Sequence, residues 1–186
     1  MKSEITIKKI QNLLIKGVQT IFVDDDTSRR MWWASLEVIQ KEFLSQNYKQ
    51  GGIWISSPLP AFNDKKFLNQ LHGWLWSPEG FPYFQNEKAG FLPVNNSEKI
   101  KKDCELVSNY KVLNLSQEDG YEPFLMIITP NFQCVLSIVG EKDKKILLMK
   151  CDEESLKLSI ELMHAKLNQE NYEEGVKFRN AINNLG

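Results

Sequence analysis

The stretch from Tyr121 to Gly140, YEPFLMIITPNFQCVLSIVG, constrains the fold more than any other part of the chain. It reads as two apolar strands joined at Thr129-Pro130-Asn131, where proline fixes its own φ and asparagine tolerates a turn. Both strands are apolar along most of their length, so neither offers the wetted face of an exposed hairpin. The pair predicts a central hairpin covered on more than one side. At 186 residues, 42% hydrophobic and 25% charged, the chain is long enough to build one substantial core around it and short for two.

Apolar spacing predicts the elements around the hairpin. Ile7, Ile10 and Leu14 recur at helical intervals between Ile5 and Ile15, and Gly17 marks an end or a break. Val18 to Val23 reads equally as a short strand or as a continued helix. Asp24-Asp25-Asp26-Thr27-Ser28 is a helix start, because these side-chain oxygens accept the free amide protons of a first turn and carboxylates suit its positive dipole end. The helix it opens runs roughly five turns, to about Gln46. Its apolar face carries Met31, Trp32, Leu36, Ile39, Phe43 and Leu44. Gly51-Gly52 breaks the pattern, Ile53-Trp54-Ile55 is a short strand, and Ser56-Ser57-Pro58-Leu59-Pro60 is a loop. Asn63 or Asp64 then caps a predicted helix bearing Phe67, Leu68, Leu71, Trp74 and Leu75, which Ser77-Pro78 stops. Glu79 to Asn96 reads as an irregular, aromatic-rich excursion, Ser97 to Asn109 as a charged segment with a short helix, and Tyr110 to Leu115 as a strand. A last strand follows over Lys145–Lys150, and Asp152 opens a long helix. The order implies an α/β (α+β) fold: a single domain with a central mixed, mostly antiparallel sheet flanked by helices, plus a C-terminal helical extension. Residues 1–46 form the N-terminal helical segment of this scheme, 47–167 the α/β body and 168–186 the helical tail.

The C-terminal helix has its own pattern. Leu156, Ile160, Met163 and Leu167 are spaced four, three and four residues apart, and Phe178, Ile182 and Leu185 repeat four and three. The eleven residues from Leu167 to Phe178 make about three turns at 3.67 residues each, so one seam can run through both pieces, with two separate helices as the alternative. Two uses of the seam stay open: packing on the sheet with a docking tail behind it, or a signalling helix that dimerises the domain or joins it to an output module.

Chemical signals are thin. A net charge of -1 and a pI near 6.2 give no general attraction to nucleic acid or to an anionic membrane surface, and no apolar run approaches the ~20 residues of a membrane span. Cys104, Cys134 and Cys151 are an odd number without CxxC spacing, and no leader pattern opens the chain, which predicts reduced thiols and a cytoplasmic location. His72 and His164 are the only histidines, and no pattern around them has metal-ligand spacing. The Asp24-Asp25-Asp26 run lacks the glycine and glutamate of a calcium loop, and no glycine pattern cradles phosphate. Nothing pairs a nucleophile with a base, so no catalytic residue is assigned and no enzyme is expected. Cys134 reads as inert core, and Cys104 as the better thiol candidate. Five tryptophans are many for this length. Trp54, His72, Trp74, Trp76, Phe81, Tyr83 and Phe91 form the candidate ligand-binding set, with the loop from Trp76 to Phe91 as wall and Trp54 and Trp74 as floor; plain core packing is the competing use. The residues name no cofactor.

The Gly-Gly-Ile-Trp-Ile-Ser strand before a proline loop, the Gly90-Phe91-Leu92-Pro93-Val94 segment, the Glu122–Phe132 hairpin and the final strand leading into an Asp-capped helix together resemble the DICT sensory domain. The resemblance covers about Asn47 to Leu167 and rests on element order and hydrophobic texture. Arg29-Arg30-Met31-Trp32-Trp33 is similar to the helix upstream of related sensors in cyanobacterial histidine kinases. That family, found in diguanylate cyclases and two-component proteins, implies a sensory role, with an output module, a partner signalling protein or a second copy as its partner. The chain carries no phospho-acceptor histidine motif, no ATP-binding glycine motif and no cyclase signature, so it is expected to act alone or as the sensor piece of something larger.

Overall fold

The computed structural model describes residues 4–19, 21–44, 51–62, 70–79 and 110–185. Thr6 caps α1 (Ile7–Leu14) by accepting the Lys9 N–H, and Asp24 caps α2 (Asp25–Val38) by accepting that of Thr27. The last turns of α2 widen into a π-helix over Ile39–Leu44. Six strands follow: β1 (Ile53–Ser57), β2 (His72–Ser77), β3 (Tyr110–Asn114), β4 (Phe124–Ile128), β5 (Gln133–Glu141) and β6 (Lys144–Lys150). Asp152 caps α3 (Glu153–Glu170), and α4 (Tyr172–Asn183) comes last.

The hairpin is where its sequence puts it. Thr129 and Phe132 close its turn, the Thr129 N–H donating to the Phe132 carbonyl at 2.9 Å, and every residue of β4 is buried. The strands lie in the order β3-β2-β1-β4-β5-β6, with β1, β2 and β3 mutually parallel and the remaining pairs antiparallel. Strand alternation divides the apolar residues between two faces. One face, with Ile53, Ile55, Trp74, Trp76, Phe124 and Met126, packs on α1, α3 and α4. The other, with Trp54, Leu71, Leu75, Leu125, Ile127 and Leu136, packs on α2 and its π turn. The result is a single α+β domain built on a mixed six-stranded sheet, with a helical C-terminal part.

Two expectations need correction, and one open choice is decided. The chain around Leu71, Trp74 and Leu75 is a strand where the sequence predicts a helix, and Trp74 faces away from Leu71 and Leu75. A strand covered on both faces is apolar at nearly every position, so its two-residue period is erased and helical spacing can be picked out by chance. Met31 and Phe43 are exposed, which leaves Trp32, Leu36, Ile39 and Leu44 as the buried stripe of α2; Phe43 instead stacks on Phe132 with centroids 4.4 Å apart. The C-terminal seam is not one straight rod. Asn171 has an extended backbone, ends α3 and starts α4, its side chain accepting the Glu173 and Glu174 N–H groups. From there α4 doubles back along α3, bringing Gly175 to Asn168 so closely that a Cβ on Gly175 would lie 1.9 Å from the Asn168 side-chain oxygen. Of the described residues in the segment over 18–23, Val23 makes an isolated antiparallel bridge to Lys145. The predicted turns over 63–69, the excursion over 80–96 and the segment over 97–109 lie outside the described residues.

Candidate functional site

The sequence Trp74-Leu75-Trp76 lies on β2, so both indoles leave the same face of the sheet and meet the two C-terminal helices. Trp74 donates from Nε1 to Glu174 Oε2 at 2.9 Å, and Trp76 donates from Nε1 to Glu170 Oε2 at 2.7 Å. Glu170 closes α3 and Glu174 lies in the first turn of α4. One strand therefore grips both sides of the joint at Asn171.

A buried ionic network backs this grip. Lys166 donates to Glu170 Oε1 at 2.6 Å, pairs with Asp119 Oδ1 at 2.9 Å, and lies over the Trp76 ring at 5.3 Å. Asp119, in the 3₁₀ turn Gln117–Asp119, also accepts the Ile7 N–H at 2.9 Å and both the N–H and hydroxyl of Ser116. Burial pushes the Asp119 carboxyl up, but the Ile7 N–H and the Lys166 ammonium outweigh it, and its pKa falls below the usual 3.8. Glu174 behaves alike: burial raises it, the hydrogen bonds from Lys177 (2.7 Å) and Trp74 lower it further, and it titrates below 4.5. Phe178 completes the packing, meeting the Trp74 ring edge-on at 5.4 Å.

Beside the joint a cleft of about 550 Å³ opens between α4 and the starts of β2 and β3. Trp74, Tyr110 and Lys111 form its sheet wall, Glu174, Lys177, Asn180 and Asn184 its helix wall, and His72 stands exposed at its rim. Burial pushes the Tyr110 phenol up to about 12, so it stays a hydrogen-bonding hydroxyl at neutral pH. The lining offers aromatic surface, amides and two ammonium groups, a set suited to holding a small polar molecule.

The family model described as Domain of unknown function (DUF8628) matches residues 8–186. The chain belongs to this family. Neither a curated protein nor a solved structure matches it. In this DUF8628 chain, His72 and Trp74 of the predicted ligand set reach the cleft. Trp76 is fully buried at the joint. Trp54 does not converge with Trp74: it pairs with Gly73 across β1 and β2, so it faces the α2 side, its indole pressed over Gly73 and 5.3 Å from Tyr110. Phe81, Tyr83 and Phe91 lie outside the described residues. Of the seam, Leu156, Met163, Leu167 and Phe178 are buried in the domain's own core, and Ile160, Ile182 and Leu185 pack at its margin. The face that the seam would offer to a second chain is used within this one. Sequence reasoning missed Glu170, Glu174, Lys177 and Lys111. The one local signal for the joint was Asn171 followed by Glu173 and Glu174, a helix cap with an acidic first turn. Among the described residues no three His, Cys, Asp or Glu gather into a metal site, and no helix is long and apolar enough to cross a membrane.

Proposed function

We propose that this DUF8628 chain is a sensory or regulatory domain of a two-component type signalling protein, acting in the cytoplasm, as its resemblance to the DICT domain implies. It takes up a small signal or a partner and relays it through its C-terminal helix to an output module, a partner signalling protein or a second copy. One observation carries this reading: Glu174 is at once a wall of the cleft and the residue that bonds α4 to Trp74 of the sheet. A molecule that hydrogen-bonds to Lys177 or to the Glu174 carboxylate competes with the bonds that hold α4, so occupancy and helix position share one equilibrium. No separate transmission route is required. The outward side of α4, with exposed Tyr172 and Val176, is the surface that an output partner can read.

A stand-alone interaction module without a ligand is the second reading. The neighbouring exposed Ile21 and Phe22, with exposed Trp33, favour it, since a contiguous apolar patch, unlike a lone exposed side chain, marks an interaction surface. A thermal-shift screen of small metabolites on the full chain separates the two. The sensory reading expects compounds that raise the melting temperature, lose that effect in Trp74→Phe and Glu174→Gln, and change amide exchange in α4. A screen in which no compound alters α4, together with a partner whose binding is abolished by Phe22→Ser and Trp33→Ser, would overturn it in favour of the interaction module.

A further inference from the structure

β5 pairs with β6 in an unbroken antiparallel register from Glu141 with Lys144 to Val135 with Lys150, where β6 ends; carried one residue further, the same register would set Cys134 opposite Cys151. The phase of the ladder is fixed by Val23, which exchanges two backbone hydrogen bonds of 2.9 Å with Lys145 on the outer edge of β6. Lys145 and every second residue after it thus turn their N–H and C=O groups away from β5. Continued to Cys151, that alternation makes the position facing Cys134 one of the non-hydrogen-bonded kind, a geometry in which Cα atoms are about 4.5 Å apart and side chains close. Disulfides span Cα separations of about 4.4–6.8 Å. Cys134 packs with Leu136 and Ile138 on the α2 side, strand alternation continued past Met149 would bring Cys151 to that side, and the two thiols are near enough for Cys151 to act electrostatically on Cys134. Cys134 is buried and Cys151 exposed, both as free thiols.

We infer that Cys134 and Cys151 form a redox-modification site at which a hydroperoxide closes a cross-strand disulfide. The exposed Cys151 sulfur, as thiolate, attacks the distal oxygen of the hydroperoxide. The O–O bond breaks, Cys151 becomes a sulfenic acid, and the alkoxide leaves as an alcohol with the thiol's proton. The Cys134 sulfur then attacks the sulfenic sulfur, forming the S–S bond as the S–O bond breaks; the departing hydroxide takes the Cys134 proton and leaves as water. In sum, two thiols lose two electrons and two protons, and the hydroperoxide is reduced to an alcohol and water. Exposure divides the roles, since only Cys151 meets the oxidant while Cys134 waits beside it. Burial pushes both thiols up, and the Asp152 carboxylate adds to this at Cys151, so closure is slow and selective for sustained oxidant. Asp152 is also the cap of α3, and the bond therefore ties β5 to the first turn of the helix whose far end is gripped by Trp76. The site stands whether or not the chain is a sensor.

The test uses the reduced full-length protein and hydrogen peroxide, followed by unfolding, alkylation and peptide mapping by mass spectrometry. Alkyl uptake is expected to fall from three thiols to one, with the peptides of Cys134 and Cys151 joined. Cys104→Ser keeps that linked pair. Cys151→Ser, a change at an exposed position, abolishes it and leaves Cys134 open to alkylation. Full uptake after oxidation, a bond that includes Cys104, or a sulfinic acid on Cys151 with Cys134 free would each overturn the assignment.

Discussion

The two faces of the sheet are equally apolar where they meet their helices, yet they hold those helices by different means. On the face covered by α1, α3 and α4, two indole N–H groups, a buried lysine and a buried aspartate set the helices at defined angles. On the other face α2 rests on Trp32, Leu36, Ile39 and Leu44, tied at its start by Lys145, which reaches Asp25 at 3.8 Å and bonds to Glu122. The indole N–H of Trp54 is buried there with no hydrogen-bond partner among the described residues. Apolar packing tolerates small slides of one element over another, whereas directional bonds in a low dielectric do not. The bonded face is the one on which a displaced hydrogen bond is felt at a helix joint.

The largest test of that contrast is Asp119→Ala, which leaves the buried Lys166 with Glu170 as its remaining carboxylate and the Ile7 N–H without its acceptor, and should cost about 3–5 kcal/mol in urea denaturation. A loss below about 1 kcal/mol would show that apolar packing alone holds the face. The same network sets an acid limit. Asp119 and Glu174 titrate lower when folded than the ordinary 3.8 and 4.5 of the unfolded chain. Their stabilisation is therefore complete above those ordinary values, declines as the pH drops past them, and is gone only below the lowered folded values. A urea midpoint followed from neutral to acid pH should show this decline, and Glu174→Gln should flatten part of it.

Matched tryptophan-to-phenylalanine changes sharpen the comparison. Trp74→Phe leaves the buried Glu174 oxygen without its donor, whereas Trp54→Phe removes an N–H that has no acceptor among the described residues. Trp74→Phe should cost more than Trp54→Phe by about 1.5–3 kcal/mol, and equal losses would mean that the indole bond adds nothing. On the α2 face the vulnerability is steric. A Cβ on Gly73 would lie 2.3 Å from the Trp54 ring, so Gly73→Ala should cost about 1–3 kcal/mol and alter Trp54 fluorescence. The smallest effect belongs to Arg29→Ala, which removes an exposed ion pair with Asp25 and should leave the urea midpoint nearly unchanged.

The central hairpin, the Asp24 and Asp152 caps, the strand at Ile53 and the strand at Tyr110 were legible because each is written in neighbouring residues. β2 was not, since burial on both faces hides the alternation that marks a strand. Trp74 and His72 were named as ligand-set candidates through their type alone, and both line the cleft. Glu174 and Lys177 were not, because a glutamate in a first helical turn looks like any dipole partner until a tryptophan 100 residues earlier is seen to bond to it. Cys134 and Cys151 show the same limit: their spacing of seventeen says nothing until the register of β5 and β6 is known.

Local pattern by itself determined where α2 and α3 begin and that the Tyr121–Gly140 hairpin lies inside. Tertiary structure alone decided that the terminal seam turns back at Asn171, that Trp54 and Trp74 part company across the sheet, and that two glutamates fasten the helical joint to β2. The reason is one of range. Caps, turns and periodicity act within a few residues and are visible along the chain, whereas register, strand face and buried hydrogen-bond partners are relations between segments far apart in it, fixed only when the whole core closes.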